Sequence, residues 1–336
     1  MSNSSLLEKS GTGGRDVSIS VARFVAMVMI VVCHMFQYYE SELAYWLNVG
    51  VEIFFVISGF LYGSKEIDAP IDFIVRNFKK ILIPYWLFLL AAIAAYALLT
   101  PSALGLRSII RAFTCSGTMT GLGHLWFVGY ILFCYLLTPY LYWLRKYVQK
   151  CSIRKTVLIY LGIFVAVQLL GYLFHSYFKP ERISCYILGF FLADLFSRFS
   201  GKQTAALKWL IALAAVCFVA VEVYFKYILC FELAGWQGMA LRVVYHYSHL
   251  LLGTALFLAF YGRFKNARYG KLLRLSDRYS YPVYLVHLLF ILSPLSLMGL
   301  LEIKVVDWAI VILCAVVCAV VLYHSSQWIE KKVFGK

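Results

Sequence analysis

The apolar residues of this chain fall into long runs separated by short polar breaks. A helix of about 20 apolar residues crosses a hydrocarbon core of roughly 30 Å. The pattern therefore predicts about ten transmembrane helices in an all-α polytopic membrane protein, near residues 17–38, 46–63, 81–99, 125–143, 156–175, 183–199, 206–229, 241–261, 280–297 and 305–325. Residues 17–325 form the membrane domain in this prediction, between a polar N-terminal tail (1–16) and a C-terminal tail (326–336).

The basic residues predict the orientation of these spans. The chain has 31 Lys and Arg against 16 Asp and Glu, and most of the basic residues lie in alternate connections. Because cytoplasmic loops of membrane proteins are enriched in Lys and Arg, both termini are predicted to be cytoplasmic. The net charge of +15 is then a sign of topology and of contact with membrane lipids, and no nucleic-acid partner is expected. With 62% hydrophobic residues, we expect a multi-pass protein of the inner or plasma membrane.

The first span carries two ionisable residues, Arg23 and His34. An arginine within a span costs at least a few kcal/mol unless it is compensated, so it marks a candidate functional site. The eleven-residue separation places both side chains on nearly the same helix face, roughly 16 Å apart along the axis. This layout suits a long ligand with a charged end near Arg23 and a reactive end near His34.

Other polar residues are candidates because of their predicted depth. Glu52 and His124 lie near the outer face, Ser58 lies deeper in the second span, and His287 lies at mid-depth. A cytoplasmic basic cluster is able to hold the phosphates of an anionic ligand: Arg76, Lys79 and Lys80. Each has a structural alternative. The cluster is equally explained by topology and lipid phosphates, Glu52 by an ion pair, His124 by an interfacial position, and His287 by packing.

The cysteines and a histidine pair indicate no metal site. The nine Cys have no regular spacing of the kind seen in disulfide frameworks and no Cys-x-x-Cys pair. Most of them lie within apolar runs, so we expect buried thiols. His246 and His249 have a spacing that allows a shared metal on one helix face, but no third ligand lies nearby in the sequence.

Several motifs together resemble the integral-membrane acyltransferases of family 3, which O-acylate cell-surface and extracytoplasmic glycans in bacteria. The first is arginine, ten residues, histidine, present here as Arg23 and His34. The others follow in the family's order as GVEIFFVISGFLYG (50–63), FIVRNFKKILIPYW (73–86), HLWFVGYILFCYLLTPYL (124–141) and YSYPVYLVH (279–287). Together they cover roughly residues 17–290.

The resemblance implies transfer of an acyl group, commonly acetyl, from cytoplasmic acyl-CoA to a glycan hydroxyl. It implies His34 as the catalytic histidine and Arg23 as a donor-binding residue. From its position, Glu52 is a second catalytic candidate that would orient or charge-stabilise a nearby imidazole, and the basic cluster is expected to bind the donor phosphates. Ser58, His124, Trp126, Tyr284 and His287 are expected to support the substrate or the site. A neutral imidazole, with an ordinary pKa of about 6.5, is the usual acceptor of a hydroxyl proton. No permanently bound cofactor is expected.

Two departures from the family pattern affect which reaction the resemblance implies for this chain. Many members have a Glu-Glu pair shortly after the fourth-span tryptophan, whereas Phe-Val-Gly-Tyr-Ile-Leu follows Trp126 here, as in members that act on polysaccharides. The second departure is that we expect no appended secreted hydrolase-like domain of the kind that some members have. The chain is therefore expected to complete the transfer itself or to pass the acyl group to another glycan-assembly protein.

Two other classes of function remain open at this stage. A transporter or flippase for a lipid-linked glycan or other solute also combines many spans with membrane-embedded Arg, Glu and His, although carriers usually show repeated halves. A non-catalytic scaffold in a polysaccharide assembly complex predicts that Arg23 and His34 are individually dispensable. The sequence identifies neither the acceptor glycan nor the acyl group, and it does not distinguish direct transfer from an acyl-enzyme intermediate.

Overall fold

A computed structural model describes residues 17–174, 180–230, 235–264 and 267–335. The described residues are helical, without strands, which confirms the all-α prediction. The α-helices are α1 (Val17–Tyr38), α2 (Leu43–Leu47), α3 (Val49–Gly63), α4 (Pro70–Leu99), α5 (Leu106–Phe113), α6 (Trp126–Val148), α7 (Ile153–Leu173), α8 (Pro180–Arg198), α9 (Gly201–Val223), α10 (Gly235–Phe260), α11 (Lys271–Val286) and α12 (Lys304–Phe334). The N-terminal tail lies outside the described residues.

Eight segments of the described chain are long and apolar enough to cross a membrane. They comprise α1, α2 with α3, α4, α6 with its preceding turn, α7, α9 with the turn after it, α10 and α12. The sixth and ninth predicted spans correspond to α8 and α11, which are helices but are shorter and carry more charge. The count of ten therefore stays a prediction.

The boundaries of the ninth predicted span, 280–297, are wrong. Helix α11 begins at Lys271 and ends at Val286, and a 3-10 turn follows at His287–Phe290. Hydropathy alone does not register this break, because the residues after it are still apolar. The last span also extends further than its apolar run, since α12 continues into the predicted tail until Gly335 adopts a φ of +66°.

Helices α3 and α8 form the central contact of the bundle. A Cβ on Gly59 of α3 would lie 1.9 Å from the Tyr186 carbonyl oxygen of α8, and one on Gly189 of α8 would lie 2.1 Å from the Val56 carbonyl oxygen. Only glycine permits this approach, and small residues commonly bring membrane helices together in this way. The two backbones are therefore locked side by side.

The outer helices have the opposite character. Helices α7 and α9 expose large apolar side chains, including Leu158, Val165, Trp209 and Leu213. Exposed apolar faces of this extent on long apolar helices are typical of contact with lipid. The buried polar residues thus lie away from these exposed faces, in the interior of the bundle.

The glycine-rich connection before α6 folds back onto the protein. Tyr85 donates a hydrogen bond to the Ala112 carbonyl oxygen at 2.7 Å, and Tyr96 donates one to that of Thr120 at 2.9 Å. Gly121 has a φ of +70° and lies so close to Ser293 that a Cβ would approach the Ser293 Cα to 2.4 Å. The connection therefore covers one end of the bundle, as a loop or re-entrant piece would.

Candidate active site

Three histidines from distant parts of the chain meet at this covered end. The His34 ring centroid lies 5.2 Å from that of His287 and 6.4 Å from that of His124. His124 and His287 are 5.0 Å apart. Helix α1, the turn before α6 and the turn after α11 each supply one ring.

Hydrogen bonds to carbonyl oxygens orient all three rings. His34 donates from Nδ1 to the Gln37 Oε1 at 2.9 Å. His287 donates from Nδ1 to the Tyr284 carbonyl oxygen at 2.7 Å, and His124 donates from Nε2 to that of Leu285 at 3.1 Å. Because these oxygens only accept, the opposite nitrogen of each neutral ring carries a lone pair. In His124 and His287 that nitrogen is buried and has no hydrogen-bond partner.

His34 and His124 open onto a cavity of about 720 Å³, the histidine cavity. Its other walls come from α2, the N-terminus of α3 and the glycine-rich connection. They include Gln37, Tyr45, Asn48, Thr118, Gly121, Gly123 and Trp126. A volume of this size accommodates a small-molecule or sugar substrate beside the His34 ring.

At the other end of α1, Arg23 is compensated by a carboxylate that the sequence reasoning missed. The Arg23 Nη1 lies 2.9 Å from the Oδ1 of Asp277, whose side chain is fully buried. Ser20 and Tyr269 donate to the Oδ2 of Asp277 at 2.5 and 2.7 Å. In the sequence, Asp277 is distinguished only as an acidic residue within a connection that is rich in Lys and Arg.

A smaller cavity of about 230 Å³, the arginine cavity, extends from this ion pair toward the histidines. Its lining includes Arg23, Asp277, Ser58, Phe127, Tyr281 and Tyr284. The Tyr284 hydroxyl donates to the His124 carbonyl oxygen, and its ring centroid is 5.2 Å from that of His124. Tyr284 therefore lies between the arginine cavity and the three histidines.

The basic cluster lines two further cavities. Arg76 and Lys80 face one of about 270 Å³ together with Lys65 and Glu66. Lys79 and Lys80 face another of about 170 Å³ together with Arg278. Tyr281 belongs to this second cavity and to the arginine cavity, so the two adjoin.

Glu66 anchors the connection between α3 and α4. It accepts hydrogen bonds from the hydroxyl of Tyr142 and from Arg145, whose Nη2 lies 2.5 Å away. The Tyr142 hydrogen bond and the Arg145 charge hold the pKa of the Glu66 carboxyl below its usual value. The carboxylate is therefore ionised beside the Arg76 cavity.

Glu52 is buried and forms an ion pair with Arg182. The Arg182 guanidinium carbon lies 4.6 Å from the centroid of the Trp126 ring, and Trp126 lines the histidine cavity. Glu52 is thus linked to the wall of the histidine cavity by contacts through Arg182 and Trp126. Arg182 was missed because it lies 130 residues from Glu52.

The described residues include all nine cysteines and the histidine pair, His246 and His249, that was considered as a metal site. None of these cysteines forms a disulfide. The expectation of buried thiols is wrong for most of them: three are buried (Cys33, Cys134 and Cys185), and Cys217 and Cys230 are exposed. Among the described residues, no group of three His, Cys, Asp or Glu side chains is placed to hold a metal ion.

The fold and this interior polar site define an all-α polytopic membrane protein with a histidine-containing cavity. The family model for the acyltransferase domain, acyltransferase family 3, matches residues 16–324. The chain belongs to this family, and its activity is that of an acyltransferase. No curated protein and no solved structure matches it.

Proposed function

We propose that the protein is a membrane O-acyltransferase. It transfers an acyl group, most simply acetyl, from cytoplasmic acyl-CoA to a hydroxyl of a cell-surface or lipid-linked glycan. The observation that carries this proposal is the polar track along α1, from the Arg23–Asp277 pair through the arginine cavity to Tyr284 and the three histidines. It combines anion-binding chemistry at one end with proton-accepting chemistry at the other.

The donor occupies the track from the cytoplasmic side in this proposal. Its phosphates bind Arg76, Lys79 and Lys80, which line adjoining cavities. Lysine and arginine are the usual phosphate-binding residues of proteins. The flexible arm of CoA then passes Arg23 and Tyr284 and presents the thioester toward His34, about 16 Å from Arg23 along the direction of α1.

His34 acts as the general base. Because its Nδ1 donates to Gln37, its Nε2 accepts the proton of the acceptor hydroxyl as the oxygen attacks the thioester carbonyl carbon. The new C–O bond forms, the C–S bond breaks, and the departing thiolate takes the proton from the His34 imidazolium. The products are the O-acylated glycan and free CoA, and no further reactant is needed.

The remaining site residues support this reaction. His124 and His287 lie together beside the His34 ring, and Tyr284 fixes the backbone of His124. Glu52 acts through Arg182 and Trp126 on the wall that the acceptor contacts. Ser58 lines the path of the donor arm.

The acceptor enters the histidine cavity from the outer face. This orientation follows from the distribution of Lys and Arg, which places both termini and the basic cluster in the cytoplasm. The host membrane is then the inner or plasma membrane, with other glycan-assembly proteins as partners.

The test uses purified protein in nanodiscs with radiolabelled acetyl-CoA and crude surface glycan. His34→Gln is expected to bind the donor normally and to lose at least 100-fold in transfer, the usual scale for a lost general base. Arg23→Gln is expected to weaken donor binding. His324→Gln is the matched control, because this exposed histidine on α12 lies outside the site.

One result overturns the proposal. If the wild-type protein binds no CoA and consumes no thioester with acetyl-, succinyl- or longer acyl-CoA, the acyltransferase assignment to this substrate pair fails. Glycan movement across the bilayer without acylation would instead support the transporter alternative.

A further inference from the structure

Beside the histidine cavity lies a second cavity of about 360 Å³, and the proposed mechanism gives no role to Arg242, Tyr245, His246 and His249 in its lining. The two cavities share Tyr45 and Asn48, so they adjoin. We call the second one the side cavity. It is lined by Tyr45, Asn48, Glu52, Arg182, Arg242, Tyr245, His246 and His249.

Two lining groups of the side cavity are buried polar atoms without a hydrogen-bond partner. They are the hydroxyl of Tyr245 and the Nε2 of His249. His249 is 93% buried by its 7% exposure, so this nitrogen is shielded from solvent. An unmade hydrogen bond of this kind costs about 1–3 kcal/mol, so a ligand that supplies the missing partner is favoured.

Aromatic rings form the other part of this wall. The Tyr45 ring centroid is 4.5 Å from that of His249, and the Trp46 ring stacks on His249 at 5.6 Å. The hydroxyl of Tyr45 is held by the buried Glu222 carboxylate. The Tyr45 and His249 rings are thus fixed before any ligand arrives, and they lie next to the hydrogen-bonding groups of the wall.

The charged residues of the lining are one carboxylate and two arginines, Glu52, Arg182 and Arg242. Glu52 and Arg182 form an ion pair across the wall, which offers both carboxylate acceptors and guanidinium donors. These donors and acceptors, together with the two unsatisfied hydrogen-bonding atoms, match a sugar ring, whose hydroxyls both donate and accept. The volume lies within the range of small-molecule sites.

We propose that the side cavity binds a hydroxyl-rich sugar ring of the acceptor, next to the residue that is acylated at His34. This inference rests on the proposed function and adds a binding site to it. The shared residues Tyr45 and Asn48 set the direction of the chain, because a glycan in both cavities must pass between them. Tyr245 and His249 then select the neighbouring sugar by its hydroxyls.

The test measures binding separately from transfer. Methyl glycosides of glucose, galactose, N-acetylglucosamine and glucuronic acid are titrated into the nanodisc protein while tryptophan fluorescence is recorded, since Trp46 lies against His249. At least one glycoside is expected to change the fluorescence, and Trp46→Phe is expected to remove most of that change. Tyr245→Phe and His249→Phe are each expected to raise the Kd at least fivefold.

The controls separate this site from the reaction. Tyr247→Phe, on the same helix but outside the cavity lining, is expected to bind as the wild type does. Tyr245→Phe is also expected to raise the KM for the glycan while His34-dependent thioester consumption continues. A response confined to the glucuronide would identify an anion site and overturn the proposal of a hydroxyl-rich ring.

Two further outcomes distinguish the two proposals. If no glycoside binds, or if Tyr245→Phe and His249→Phe bind unchanged, water alone satisfies these atoms and the sugar-site inference falls, whatever the transfer assay shows. If glycosides bind as expected but no acyl-CoA is consumed, the sugar site stands while the acyltransferase mechanism falls.

Discussion

Arg23 and Asp277 lie 254 residues apart in the sequence and form an ion pair of 2.9 Å in the interior. The pair explains how an arginine is tolerated within a membrane span, since the opposite charge compensates it. It also fixes the guanidinium at the wall of the arginine cavity, where the proposed donor passes.

Asp277→Asn is expected to weaken donor binding at least tenfold, because Arg23 loses the partner that positions it. It is also expected to lower stability by about 3–5 kcal/mol, the usual cost of leaving a buried charge without its partner. Donor binding in nanodiscs and thermal unfolding measure the two effects. Asp307→Asn is the control, since this buried carboxylate binds the backbone of Gly299 and Leu301 away from the track.

A drop in stability alone, equal in the two variants and without a difference in donor binding, would assign Asp277 a purely structural role.

Tyr284→Phe is expected to reduce the transfer rate while leaving donor affinity close to that of the wild type. The hydroxyl bonds the His124 carbonyl oxygen, and its loss leaves that buried oxygen without this donor, at about 1–3 kcal/mol. The kcat and KM of the nanodisc protein and its Tm report the change. An unchanged kcat together with a lowered Tm would show that Tyr284 supports the fold and not the histidines.

Gly59→Ala is expected to prevent the close contact of α3 with α8, because the new Cβ would lie 1.9 Å from a backbone oxygen. We expect little folded protein by fluorescence-detected size exclusion. Gly162→Ala on α7 is the control, since nothing lies within 4 Å of its Cβ position. In a helix this control is expected to be neutral or to stabilise by about 0.5–1 kcal/mol. Equal yields of both variants would contradict the packing.

Glu66 is expected to contribute a pH-dependent part of stability. Its pKa is lowered in the folded protein, first by the Tyr142 hydrogen bond and also by Arg145. A lowered pKa means that the unfolded chain binds the proton more readily, so this contribution is full above the unfolded value of about 4.5 and is lost as the pH falls below it.

Glu66→Gln is therefore expected to lower the Tm at pH 7 and to have less effect at pH 4. Because the Glu66 side chain is 64% exposed, the difference should be small. Thermal unfolding in nanodiscs at several pH values measures it. Glu302→Gln serves as the control, since this exposed carboxyl lies in the connection just before α12. A difference that is constant with pH would contradict the linkage.

The sequence predicts part of this architecture because some information is local. Runs of apolar residues determine most spans, and helical periodicity places Arg23 and His34 on one face of α1. The motifs also identify His124 and His287, which the structure brings to His34. The sequence does not identify Asp277 and Arg182 as site residues, because their roles depend on partners on other helices. No local pattern predicts those contacts.

The end of α11 determines how the rings of His124 and His287 are hydrogen-bonded. The last carbonyl oxygens of a helix have no amide partners within it, and here those of Tyr284 and Leu285 accept hydrogen bonds from the ring N–H groups of His287 and His124. The main chain thus decides which nitrogen of each ring carries hydrogen. A comparison of side chains alone would overlook these backbone hydrogen bonds. A substitution that extended α11 by one turn would change them without altering either histidine.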